Sequence, residues 1–128
     1  MSLKPTILVV DDYASTRNAL SDLLSDDYEV LAAADGLEAM RCYAEHGSRI
    51  VAVITDVQMP RVNGRQLLEW LHQQAADLPV ILMSGHKGQA AVEPLLQPGL
   101  VMWLRKPFDI NDLLALLKRL VPPSTKAK

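Results

Sequence analysis

Short apolar runs alternate along the chain with longer segments whose apolar positions recur every three or four residues. The runs Thr6–Val10, Tyr28–Ala33, Ile50–Thr55, Pro79–Met83 and Val101–Leu104 are bounded by polar or turn residues and read as buried strands. Between them, Ala14–Ser25 sets Leu20, Leu23 and Leu24 on one stripe, and Gly36–His46 groups Leu37, Met40 and Ala44. Asn63–Gln74 groups Leu67, Leu68 and Leu71, and Asp109–Leu120 carries five leucines behind Asp109 as N-cap. The segment Lys87–Gln97 is the weak helix. Pro94 lies inside it, removing an amide and clashing with the preceding turn, so this helix is expected to be short, kinked or mobile. Strand followed by helix, five times over, predicts a parallel α/β sheet with helices on both faces.

Composition narrows the picture. A chain of 128 residues holds one ordinary domain. We assign residues 1–121 to it and read 122–128 (PPSTKAK) as a polar tail or linker stub. Thirteen Lys+Arg against 15 Asp+Glu leave a formal charge of −2, so no global basic surface points to direct nucleic-acid binding. The single cysteine, Cys42, has no partner for an internal disulfide. No apolar run is long enough for a membrane span, and MSLKPT has no signal-peptide core. The expected setting is cytoplasmic.

Ligands of an open parallel sheet bind beyond the carboxyl ends of its strands, where strand order reverses. The residues ending each strand are therefore the informative ones. The first strand ends in Asp11–Asp12, the third in Asp56, the fourth in Ser84–Gly85 and the fifth in Lys106–Pro107. If the first and third strands are neighbours, three carboxylates converge. Like charges that close raise one another's pKa or demand a cation. Hard oxygen ligands suit Mg²⁺, which takes one or two carboxylates beside phosphate oxygens. A lysine and a hydroxyl complete a setting for a phosphoryl group. The paired Asp11 and Asp12 read as the metal cradle, and Asp56 as a nucleophile that would form an aspartyl phosphate. Each position alone has a structural explanation, because aspartates after strands cap helices and make turns. Five such residues at one end of four strands are harder to explain that way.

ILVVDD (Ile7–Asp12), ADGLEAM (Ala34–Met40), ITDVQMPRVNG (Ile54–Gly64), ILMSGH (Ile81–His86) and LRKPF (Leu104–Phe108) occur in this order and spacing. Together they resemble the receiver domain of bacterial two-component response regulators over nearly the whole chain, Thr6 to Val121. The resemblance implies a flavodoxin-like sheet order, 2-1-3-4-5, and a signalling domain that is not a turnover enzyme. It implies Asp56 as phosphoacceptor, with Asp11, Asp12, Asp56 and the backbone carbonyl of Gln58 holding Mg²⁺. Lys106, before a cis Pro107, would contact the phosphoryl group, and Ser84 would be the switch hydroxyl. Trp103 falls where the family has a Tyr or Phe that changes rotamer. Gln58 and His86 fall where side chains tune dephosphorylation.

The implied partners are a histidine kinase or histidine phosphotransfer domain, and an output domain or downstream protein, in this or a longer chain. A homodimer through the face of helix four, strand five and helix five is a further expectation. Pro94 and the larger Trp103 depart from the family pattern on that face. A haloacid-dehalogenase-type phosphatase needs a second Asp two residues after the first, where Tyr13 and Gln58 stand instead. A flavodoxin needs a phosphate loop where DDYAST stands, and the glycine-rich turn of a dinucleotide fold is missing. A degenerate receiver acting as a pure interaction module is the rival from another class, disfavoured by the five site residues. His46 and His72 are expected to be solvated, and Trp70 and Cys42 to pack.

Overall fold

The computed structural model of the chain describes residues 4–121. Five strands, β1 (Thr6–Val10), β2 (Glu29–Ala33), β3 (Ile50–Asp56), β4 (Val80–Ser84) and β5 (Val101–Arg105), form one sheet in the order β2-β1-β3-β4-β5. All neighbouring pairs are parallel. Strand order therefore reverses between β1 and β3, as the carboxylate argument required. The expectation for residues 122–128 falls outside the described residues.

The strands are mostly apolar because both sheet faces are covered, and their polar residues lie at or next to the strand ends. Side chains alternate between two cores. Leu8, Val10, Val53, Val80 and Leu82 pack on one face with Leu67, Leu68 and Leu71 of α3 (Gly64–Gln74) and Ala39 of α2 (Gly36–His46). Ile7, Val9, Ile54, Ile81 and Met83 pack on the other with Leu20 and Leu24 of α1 (Ala14–Leu24) and Leu113 and Leu117 of α5 (Ile110–Leu120).

Two helical stripes differ from the sequence expectation. Leu23 of α1 is 53% exposed, and Leu37 of α2 is 41% exposed. In α2 the buried positions are Gly36 and Ala39, and Met40 and Tyr43 pack against that core. Close approach explains the small residues: a Cβ at Gly36 would lie 2.6 Å from Val62. The His72 ring is held by the Leu78 carbonyl at 2.9 Å, rather than simply solvated as expected. Its helix ends one turn before that carbonyl, within side-chain reach.

The fourth helix is short, as Pro94 predicts. Regular α-helix α4 covers only Gln89–Val92, between 3₁₀ turns at His86–Gly88 and Glu93–Leu95. Pro94 lies in the second turn, where the missing amide costs no α-helical bond.

Asp35 caps α2 and ties it to the loop after β3. Its carboxylate accepts from the Glu38 backbone N–H at 2.8 Å and from the Arg61 guanidinium at 2.6 Å. Arg61 has φ 67°, the left-handed region that costs a non-glycine residue energy. The Glu38 amide first, and Arg61 after it, hold the Asp35 carboxyl below its ordinary value of 3.8. A lowered folded pKa gives stability that is present above 3.8 and lost as pH falls through the folded value. Asp35→Asn keeps the cap and removes the charge. The variant should be less stable than wild type by about 0.5 kcal/mol at pH 7, the discounted worth of an exposed pair, with the gap closing in acid. Urea denaturation at both pH values checks this, and a pH-independent gap refutes it.

Candidate phosphoacceptor site

Asp11 continues β1 by one residue and is held there when its N–H donates to the Ala33 carbonyl at 3.2 Å. It is fully buried. Oδ1 accepts from the Tyr13 N–H at 2.9 Å, whereas buried Oδ2 has no hydrogen-bond partner among the described residues. Asp12 follows and is exposed. Asp56 ends β3 and is buried, because β1 and β4 flank it on either side. One carboxylate oxygen from each of Asp11, Asp12 and Asp56 lies within 4.8 Å of the other two.

Lys106 supplies the opposing charge. Its N–H donates to the Ser84 carbonyl at 2.8 Å, extending the β4–β5 pairing, and the following bond to Pro107 is cis. Nζ donates to Asp56 Oδ2 at 3.2 Å and stands 3.6 Å from Asp11 Oδ2. Burial pushes the Asp56 carboxyl above its ordinary value of 3.8, and the Asp11 charge adds to this. The Lys106 ammonium and the Gln58 N–H pull it back only part of the way.

The loop between β3 and α3 folds back on the acceptor. The Val57 N–H donates to the Met83 carbonyl and the Gly64 N–H to the Val57 carbonyl, at 3.0 and 2.8 Å. A Cβ at Gly64 would sit 2.7 Å from the Asp56 carbonyl oxygen and 2.8 Å from Val57 Cα. Only glycine lets α3 start this close beneath the nucleophile.

Asp12, Asp56, Gln58, Ser84 and Lys106 line one open cavity of about 400 Å³. Ser84 ends β4, and its Oγ accepts from the Trp103 indole N–H at 2.8 Å. The structure thus brings the carboxylates, Lys106, Gln58, Ser84 and Trp103 to one sheet end. The side chain of His86 lies outside the described residues. Lys87 also lines the cavity and went unnoticed in the sequence, where a lysine after a strand reads as solvated surface.

The donor set fits a hard divalent cation. It offers three carboxylates, one with a buried oxygen that accepts no hydrogen bond, and the Lys106 ammonium contacts two of the three. Cation, ammonium and hydroxyl around a buried carboxylate suit a phosphoryl group. The family model described as response regulator receiver domain matches residues 7–118.

The chain belongs to that family. Receiver domains serve two-component signalling, generally through phosphorylation of an aspartate, and generally bind Mg²⁺ at an acidic pocket such as this one. Among similar proteins, the two-component response regulator-like PRR73 of Oryza sativa subsp. japonica is 38% identical over 110 residues, 84% of this chain and 14% of that protein. Response regulator MprA of a Mycobacterium species is 35% identical over 116 residues, 90% of this chain and 50% of that protein. The receiver thus spans half or less of the length of these relatives. A response regulator receiver domain protein from Clostridium thermocellum superposes with a TM-score of 0.83 at 31% identity, covering 90% of this chain and 93% of that one. The chemotaxis protein CheY4 of Vibrio cholerae superposes with a TM-score of 0.78 at 30% identity, covering 92% and 99%. Among the described residues, no helix of the receiver is long and apolar enough to cross a membrane.

Proposed function

We propose that Asp56 accepts a phosphoryl group from a phosphohistidine on a partner histidine kinase or histidine phosphotransfer domain. The observation that carries this reading is the position of Asp56: a buried carboxylate at a cavity floor, 3.2 Å from an ammonium and beside two further carboxylates. Asp56 Oδ attacks phosphorus in line, the phosphorus–nitrogen bond breaks, and the electron pair leaves with the imidazole. Lys106 neutralises charge on the transferring oxygens, and Ser84 donates its O–H to one of them. Asp11, Asp12, Asp56 and the Gln58 backbone carbonyl would hold Mg²⁺, which when bound supplies further positive charge to the phosphoryl oxygens. Water returns the acyl phosphate to carboxylate and inorganic phosphate. Gln58 and His86 tune that step.

The switch is a population shift read by an output domain or downstream protein. Residues 1–121 form the signalling unit, which assists its own phosphorylation and is not a turnover enzyme. We assign it to the cytoplasm, and to a homodimer through the α4–β5–α5 face. The truncated α4 makes that face smaller than a full helix would.

The test is intact mass after incubation with acetyl phosphate, with Mg²⁺ and with a chelator in its place. One phosphoryl group should add with Mg²⁺, fail to accumulate with chelator, and be released by hydroxylamine as an acyl phosphate is. No adduct, or an adduct stable to hydroxylamine, overturns the reading.

A further inference from the structure

Trp103 does more than fill space. Its indole N–H donates to Ser84 Oγ at 2.8 Å, linking residues 19 apart. The register explains how. Trp103 pairs with Leu82, and Ser84 is two residues further along β4, so both side chains rise from the same sheet face as diagonal neighbours. Ser84 is buried, and its hydroxyl is confined on a second side: a Cβ at Gly88 would meet Oγ at 2.8 Å. A phenylalanine ring at position 103 has no donor to offer.

We propose that Trp103 is a positioning residue for Ser84, its indole N–H orienting the hydroxyl that contacts the phosphoryl group. The inference rests on the reading of Asp56 as acceptor. A serine hydroxyl has one donor and two acceptor sites. With one lone pair committed to the indole, the O–H points away from Trp103 and is free for the cavity that Ser84 shares with Asp56 and Lys106. A donor on the oxygen also strengthens the hydroxyl as a donor, since chained hydrogen bonds polarise one another. No bond is made or broken on either side chain. When Asp56 takes the phosphoryl group of acetyl phosphate, the electron pair leaves with acetate, and Ser84 donates to a phosphoryl oxygen.

The experiment is a double-mutant cycle in a Trp70→Phe background, which leaves Trp103 as the only tryptophan of two. Trp103→Phe keeps an aromatic ring and deletes the donor, and Ser84→Ala deletes the acceptor. Asp56 phosphorylation by acetyl phosphate, followed by intact mass, should slow about fivefold in each single variant, the scale of one hydrogen bond. The double variant should slow no further, because the pair acts as a unit. A product of the two effects, about 25-fold for independent sites, overturns the proposal, as does a wild-type rate for Trp103→Phe. The second readout needs no phosphorylation. The Trp103 indole N–H resonance should be shifted downfield and protected from exchange, lose both properties in Ser84→Ala and regain them in Ser84→Thr. An indole signal indifferent to residue 84 overturns the bond itself. No adduct on the Trp70→Phe parent refutes the Asp56 reading and the positioning role with it. An adduct with an additive cycle refutes only the positioning role.

Discussion

Asp56→Asn is expected to take up no phosphoryl group from acetyl phosphate, where wild type takes one. The amide matches the carboxylate in shape but lacks the anionic oxygen that attacks phosphorus, and no other carboxylate shares its setting. Asp11 is fully buried and does not line the cavity, and Asp12 is exposed. The variant should also fold at least as well as wild type in the absence of divalent cations. Burial and the Asp11 charge raise the Asp56 pKa, so the folded state holds that proton more tightly than the unfolded chain does. For a raised carboxylate, wild-type stability falls as pH rises from about 3.8 through the folded pKa. Asparagine escapes that loss. In chelator at pH 7, Asp56→Asn should melt higher by about 3 °C, the scale of 1 kcal/mol in a domain of this size, with the difference shrinking towards pH 4. Intact mass and thermal melts check both parts. A phosphoryl adduct on the asparagine variant would falsify Asp56 as acceptor, and a lower melting temperature would refute the electrostatic account.

Lys106→Met removes the ammonium and keeps most of the stem. Two outcomes follow from the same charge. Phosphorylation by acetyl phosphate should slow by about 100-fold or more, as when one preorganised donor to developing charge is lost. Stability in chelator should fall by about 2 kcal/mol. That is below the cost of breaking a fully buried pair, because Lys106 remains 30% exposed. Mg²⁺ should restore more stability to the variant than to wild type, since Nζ now occupies the Asp56 Oδ2 and Asp11 Oδ2 region that a divalent cation would share. Urea titrations with and without Mg²⁺ measure the difference. Equal stability of variant and wild type in chelator, or equal Mg²⁺ stabilisation, would count against the charge balance described here.

Much of this is legible in the amino-acid sequence. The five strands, and every helix except the broken fourth, fall within a residue or two of their expected ends, because a buried parallel strand is predominantly apolar. Asp109 caps α5 as expected, accepting from the Asn111 N–H at 2.8 Å. Asn63, read as the first residue of its helix, is instead the N-cap of α3, in a reciprocal pair with Gln66. The polar residues at the strand ends were equally visible, since nothing in the core explains them. The buried faces of α1 and α2 were less so. Periodicity ranks Leu23 and Leu37 as inward, but in α2 the buried positions are Gly36, where Val62 leaves no room for a Cβ, and Ala39.

The sequence alone determined the alternation of elements, the broken fourth helix and the inventory of charged groups at one sheet end. Each of these is a local property of neighbouring residues. Tertiary structure decided which of those groups meet. The Lys106–Asp56 contact joins residues 50 apart, and the Trp103–Ser84 bond joins residues 19 apart on paired strands. Both depend on strand order and register. No local pattern encodes register, because it is fixed by how two helix layers pack on a twisted sheet.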